Sequence, residues 1–272
     1  MNLQQFLRGI RMMPEAARAV EQIDVSEEEY SRMKRLFQSD RDAFYKEILE
    51  RKDFRIYFLY YFCRMACDTY KCYRQRKIEE RIFWDTFYDL TLWCENCYRE
   101  FGEYGIQQYD WFFRHLECTI FRLGRLEFER MSSEWEMAGE NLCIRKGMPV
   151  ISVHIPQGEK LDIRLSEDSF RQAFQFWGRE YPYLCHSWLL YPGLAEILPE
   201  DSNILQFQRL FQVVQTDYEG REAEQRIYGC VRDDPKVYPQ KTSLQKKASQ
   251  YLSAGGRLGN GLGLLKQTSF LE

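Results

Sequence analysis

The sequence predicts an α+β fold, helical over residues 1–117 and built of strands and helices over residues 118–272. In the first part, apolar residues recur every three or four positions. Phe54, Phe58, Phe62, Met65 and Thr69 make one stripe; Phe83, Phe87, Leu90, Cys94, Cys97 and Phe101 make another. After Cys118 the period becomes two: Ile151, Val153 and Ile155 alternate with Ser152 and His154. The 272 residues carry 38 Lys+Arg and 41 Asp+Glu, a net charge of −3, so bulk charge does not favour a nucleic-acid partner. With 44% hydrophobic and 16% aromatic residues, the chain has the material for a large core.

Each element has a local reason. Pro14 opens a short helix. Ser26 caps the next, with Glu29 at the capping-box position and Val25 and Tyr30 as a staple. Asp40–Arg51 is a helix with Phe44, Ile48 and Leu49 inward. The helix from Phe54 is apolar nearly all round once Tyr57 and Tyr60 are counted, which places it centrally. Arg55 and Arg64 interrupt its apolar run, so no membrane span is expected. The basic stretch Lys71–Lys77 reads as a solvated connection, and Gly102 and Gly105 end the helix that carries Phe83–Phe101.

Beyond Cys118, the parity of Phe121 and Leu123 flips to that of Leu126 and Phe128 at Gly124, which suggests a bulged strand. Strand 150–155 follows, then the turn Pro156-Gln157-Gly158. Ser166 caps a helix over 166–178, with Glu167 and Asp168 in its first turn and Leu165 and Phe170 as its staple. A strand over 183–191 stops at Pro192. The length of this strand–helix–strand unit predicts parallel pairing of 150–155 with 183–191. Helices are expected over 202–212, 219–228 and 242–252, and a terminal strand over 257–265, where glycines admit a close backbone.

The start, MNLQQFLRGIRMM, has no apolar signal core. The nine cysteines therefore read as reduced thiols of a cytoplasmic protein. Cys94-x-x-Cys97 with Cys63 and Cys67 offers four thiolates to a metal such as zinc. Cys94 and Cys97 lie on a core stripe, however, so the expectation is no metal. Cys185, His186 and Ser187 are adjacent, but on a strand His186 faces away from both neighbours and cannot activate either. His154 leaves the Ile/Val face beside a turn, where an imidazole suits a general base; a structural histidine is the other reading. From Lys236 to Lys266 there are six basic residues and no acid, a patch that suits an anion.

Three segments carry a resemblance: VHIPQGEKL (153–161), CHSWLLYPGLAEILPEDSNILQFQRLF (185–211) and YPQKTSLQKKASQYLSAGGRLGNGLGLL (238–265). They resemble the GNAT-like C-terminal domain of a family of bacterial N-acyltransferases, and the helical first part resembles its N-terminal domain. The resemblance implies domains at 1–117 and 118–272, the second a GNAT-like mixed sheet with flanking helices on which the helical domain packs. It also implies transfer of an acyl group from acyl-CoA, or another acyl thioester, to an amine. His154 would be the base and Tyr191 a proton donor. Ile155 and the strand before it would hold the pantetheine, Gln157, Gly158 and Lys160 would approach the phosphates, and Asn203 would position the arm. The loop departs from the family's glycine pattern, and no Tyr stands in helix 202–212. A non-catalytic GNAT-like module binding a metabolite or a protein therefore stays as the alternative, with a cysteine-bound metal regulator as a third class.

Overall fold

The computed structural model describes residues 1–138, 143–218 and 220–266, and the chain divides into two compact units. The first comprises residues 1–123 together with 156–158; the second comprises 124–155 and the chain from Glu159. Among the described residues no helix is long and apolar enough to cross a membrane.

The first unit is helical: α1 (Leu3–Gly9), α2 (Pro14–Glu21), α3 (Glu27–Ser39), α4 (Arg41–Leu49), α5 (Phe54–Gln75), α6 (Glu80–Phe87), α7 (Asp89–Phe101) and α8 (Phe113–Leu116), then strand β1 (Ile120–Leu123). Ser26 Oγ accepts from Glu29 N–H as expected, but the Glu29 carboxylate turns to Arg32 and does not close the capping box. On α4, Phe44 and Ile48 are buried while Leu49 is exposed. Helix α5 is the apolar centre, and its Phe58, Tyr61 and Phe62 are fully buried. It runs five residues into the basic stretch expected to be a connection. The long helix expected through Phe101 is broken in two at Tyr88, where the ladder tightens: Thr91 N–H donates to Tyr88 O, three residues back, at 2.9 Å. Phe101 ends up exposed, and Gly102 ends α7 in the left-handed conformation, φ 70°.

All six cysteines at 63, 67, 94, 97, 118 and 185 are buried, Cys72 and Cys230 are half-buried, and Cys143 is exposed. Burial pushes the Cys94 thiol up to about 12 and the Cys97 thiol up to about 11, so both hold their protons. A thiol reagent is expected to label Cys143 first, Cys72 and Cys230 slowly, and the other six only after denaturation. Fast labelling of Cys94 or Cys97, or stoichiometric zinc in protein purified without added metal, would contradict this.

The second unit contains β2 (Leu126–Ser132), the hairpin β3 (Met137–Ala138) and β4 (Cys143–Ile144), and β5 (Pro149–His154). Next come α9 (Ile163–Trp177), β6 (Tyr183–Ser187), α10 (Asn203–Gln208) and β7 (Phe211–Asp217). It closes with α11 (Glu222–Tyr228), α12 (Ser243–Ser253) and β8 (Asn260–Leu265). Its main strands run in the order β2-β5-β6-β8-β7. Strands β5 and β6 pair parallel, joined by α9, as the spacing predicts; the other neighbours are antiparallel.

Register fixes the two faces. Phe128, Ile151, Val153, Tyr183 and Phe211 turn toward α9, whose Phe170 ring lies 5.6 Å from that of Phe128 and 6.0 Å from that of Phe211. Val150, Leu184, Leu262 and Leu264 turn the other way and pack with Met137 and Ile144 of the small hairpin, which sequence patterning does not reveal.

Several elements differ from expectation. The chain does not bulge at Gly124 but turns there, at Gly124–Arg125, with Gly124 at φ 76°. Helix α9 starts three residues early because Asp162, not Ser166, caps it: Asp162 Oδ1 accepts from Arg164 and Leu165 N–H at 2.9 and 3.2 Å. Its first turn therefore holds no acid, and Leu165 is exposed rather than stapled. Strand β6 ends at Ser187, whose Oγ accepts from Leu189 N–H and starts a 3₁₀ turn over 188–190. The helix expected over 202–212 stops at Gln208. The β-branched run that follows forms β7, bulged between Val213 and Gln215 against β8. The expected helix start at Glu219 lies outside the described residues. In β8 the glycines meet their expected crowding: a Cβ on Gly261 would stand 2.3 Å from Leu190 O.

Candidate active site

The site begins where β5 and β6 part. Their parallel pairing covers only Ile151↔Tyr183 and Ser152↔Leu184. Beyond those pairs β5 continues through Val153 and His154, and β6 continues to Ser187 paired with β8 on its other side. Two diverging parallel strands expose the backbone groups that would otherwise bond across the gap. They present an extended polar edge to anything that fits between them.

His154 stands at this opening, on the face opposite α9. Its Nε2 lies 3.1 Å from Glu129 Oε2 on β2, with the His154 side chain 25% and the Glu129 side chain 8% exposed. The Glu129 carboxylate thus fixes the orientation of the imidazole ring at the lip of the gap. Glu129 and Glu127 alternate with the inward Leu126 and Phe128 on β2, and both acids are buried. That parity was visible in the sequence; that the polar face is covered was not.

The other expected site residues are dispersed. Ile155 follows β5 directly and is half-buried. Gln157 and Gly158 belong to the first unit, where Asn96 Nδ2 donates to Gln157 Oε1 and Leu92 approaches Gly158. Lys160 lies in the second unit with an exposed side chain, and its carbonyl accepts from Arg125 Nε at 3.2 Å. Arg125 Nη2 also donates to Glu159 O at 2.7 Å, so a buried guanidinium clasps the segment before α9. Asn203 opens the six-residue α10 behind the cap Ser202.

Tyr191 is not at a strand end. The 3₁₀ turn carries it into the cluster of Leu194, Ile197, Leu205 and Tyr228. Burial and the neighbouring Tyr218 and Tyr251 push its phenol far above the ordinary tyrosine range, so it gives up a proton poorly. Cys185 is fully buried and burial pushes its thiol far up as well, which makes it core rather than nucleophile.

A model of the GNAT-like C-terminal domain matches residues 120–265, and a model of the N-acyltransferase N-terminal domain matches residues 1–118. The chain belongs to this GNAT-like N-acyltransferase family. Solved structures show the same fold. An acyltransferase in complex with decanoyl-CoA and teicoplanin is 21% identical, with a TM-score of 0.78 over 97% of this chain and 87% of that one. A mutant acyltransferase in complex with octanoyl-CoA is 20% identical, with a TM-score of 0.76 over 96% and 86%. A third, in complex with decanoyl-CoA, is 21% identical, with a TM-score of 0.69 over 97% and 99%. No curated protein matches the chain. Within the GNAT-like family fold, the strand gap, the α9 start and His154 all fall in the second unit.

Proposed function

We propose that the protein is an N-acyltransferase that moves an acyl group from acyl-CoA to an amine. The observation that carries this reading is the gap between β5 and β6 with His154 at its lip, held by Glu129. The gap accepts the pantetheine as an extra strand, with the backbone of 153–155, including Ile155, bonding its amides. The thioester carbonyl then lies near His154. The acceptor nitrogen attacks the carbonyl carbon, His154 takes the nitrogen's proton, and Glu129 stabilises the imidazolium. Holding the amine and thioester at the gap makes the encounter effectively intramolecular. The similar structures that hold decanoyl-CoA and octanoyl-CoA support a fatty acyl-CoA as donor.

In this reading, Lys160 and the exposed Lys246 and Lys247 supply positive charge for the phosphates, and Asn203 borders the arm. Gln157 is engaged by Asn96 and is not assigned to the donor, nor is Gly158. Tyr191, packed in the cluster with Leu194 and Tyr228, is not assigned the proton donation. Calorimetry with CoA and decanoyl-CoA, at low and moderate salt, tests the reading. Weak, salt-sensitive binding is expected, because exposed charges are screened over ~8–10 Å. No heat at millimolar ligand in low salt would favour the non-catalytic module.

One observation favours that second reading: the first free amides of α9 already bond the carboxylate of Asp162, where an anion would otherwise sit. The consequence is testable. Asp162→Asn keeps an oxygen for the cap and removes the charge. It is expected to tighten CoA by ~2–5-fold at low salt, the worth of one exposed charge pair. Unchanged or weaker affinity by calorimetry would place the phosphates elsewhere.

A further inference from the structure

The gap has a second histidine on its other lip. Ser152 pairs with Leu184, so His154 and His186, two residues further along each strand, share one face on either side of the divergence. Each is held by a carboxylate from another strand of the sheet, His154 by one from the adjacent β2 and His186 by one from β7, one strand beyond β8. His154 Nε2 meets Glu129 of β2 at 3.1 Å, and His186 Nε2 meets Asp217 of β7 at 2.7 Å. Asp217 is itself fixed, since Asn260 Nδ2 donates to its Oδ1 at 3.2 Å. The Trp135 ring lies 5.7 Å from that of His186. The His186 side chain is 34% exposed, so its ring is reachable.

We propose that His186 is the proton donor to the departing thiolate, opposite His154 in both place and duty. The proposal rests on the acyltransferase reading above. When the tetrahedral intermediate collapses, the C–S bond breaks and its electron pair goes to sulfur. Protonated His186, with Nε2–H on Asp217, gives the Nδ1 proton to that sulfur and becomes neutral. His154 meanwhile holds the proton from the amine. Solvent removes it from His154 and returns one to His186, so the cycle yields amide and free thiol with protons balanced. This arrangement fills the role that Tyr191 cannot, because its phenol is buried and displaced from the strand end.

The test compares two leaving groups. Wild type and His186→Gln are assayed with decanoyl-CoA and with an aryl thioester of the same acid, whose more acidic thiol leaves without a proton. His186→Gln is expected to lower kcat with decanoyl-CoA by ~10²-fold, within the usual range for general acid catalysis, with KM nearly unchanged. With the aryl thioester the loss should be under about threefold. Asp217→Asn should show the same split at smaller size. Equal losses with both donors would show a structural role and overturn the proposal, as would full activity of the variant with decanoyl-CoA. A wild-type enzyme inert toward acyl-CoA across an amine panel would overturn the acyltransferase reading along with it.

Discussion

His154→Ala is expected to slow acyl transfer by ~10²–10⁴-fold while leaving CoA affinity within about twofold. The expectation follows from where the ring stands. It lies on the face opposite α9, at the end of β5, where its Nε2 meets Glu129. Removing it takes away the proton acceptor and leaves the strand backbone that would hold the pantetheine. Glu129→Gln should cost less, since the amide can keep the ring in place but cannot stabilise its charge. Steady-state kinetics on any acceptor found, with calorimetry on the same preparations, checks both. Unchanged turnover in His154→Ala would keep the enzyme and remove this residue from its mechanism.

Phe58→Ala is expected to destabilise the first unit by ~3–5 kcal/mol, the cost of a large cavity in a packed core. Phe58 is fully buried on α5. Its ring stacks on Tyr109 at 4.5 Å and on Phe62 at 5.7 Å, and meets Phe44 and Tyr45 edge-on at 6.3 and 6.0 Å. Truncation removes one member from five ring contacts at once, the fifth being the edge-on contact with Phe54 at 6.2 Å, and the neighbours cannot collapse without leaving their own partners. Urea unfolding followed by tryptophan fluorescence measures the loss. A cost under about 1 kcal/mol would mean that the site relaxes or that α5 is not central.

The sequence revealed what depends on local period. Helix α5 and strand β5 each carry an unbroken pattern, and the strand–helix–strand length was enough to predict the parallel pair. What it concealed depended on competition between neighbours. Asp162 outcompeted Ser166 as a cap because its carboxylate reaches two amides, and the single hydroxyl of Ser166 instead donates to Asp162 O. Strand β7 was hidden because Leu210 and Phe211 extend the apolar spacing of α10 by a turn that the chain does not make. That misreading also hid Asp217, and with it any carboxylate for His186. His154 was legible from parity, whereas its partner Glu129 required knowing which strand lies beside β5.

The short β5–β6 pairing has a wider consequence. Strand β2 holds β5 over six residue pairs and β7 holds β8 over six, but only two pairs join β5 to β6. The sheet thus has a seam, stitched by few backbone bonds and bridged by α9. Local opening concentrates where backbone bonding is sparse, so amide protons beside this seam should exchange before those of the outer strands. A pantetheine lying in the seam would serve as the missing strand. Donor binding and folding would then be linked by mass action, and the saturated protein would resist heat and exchange better than the bare one.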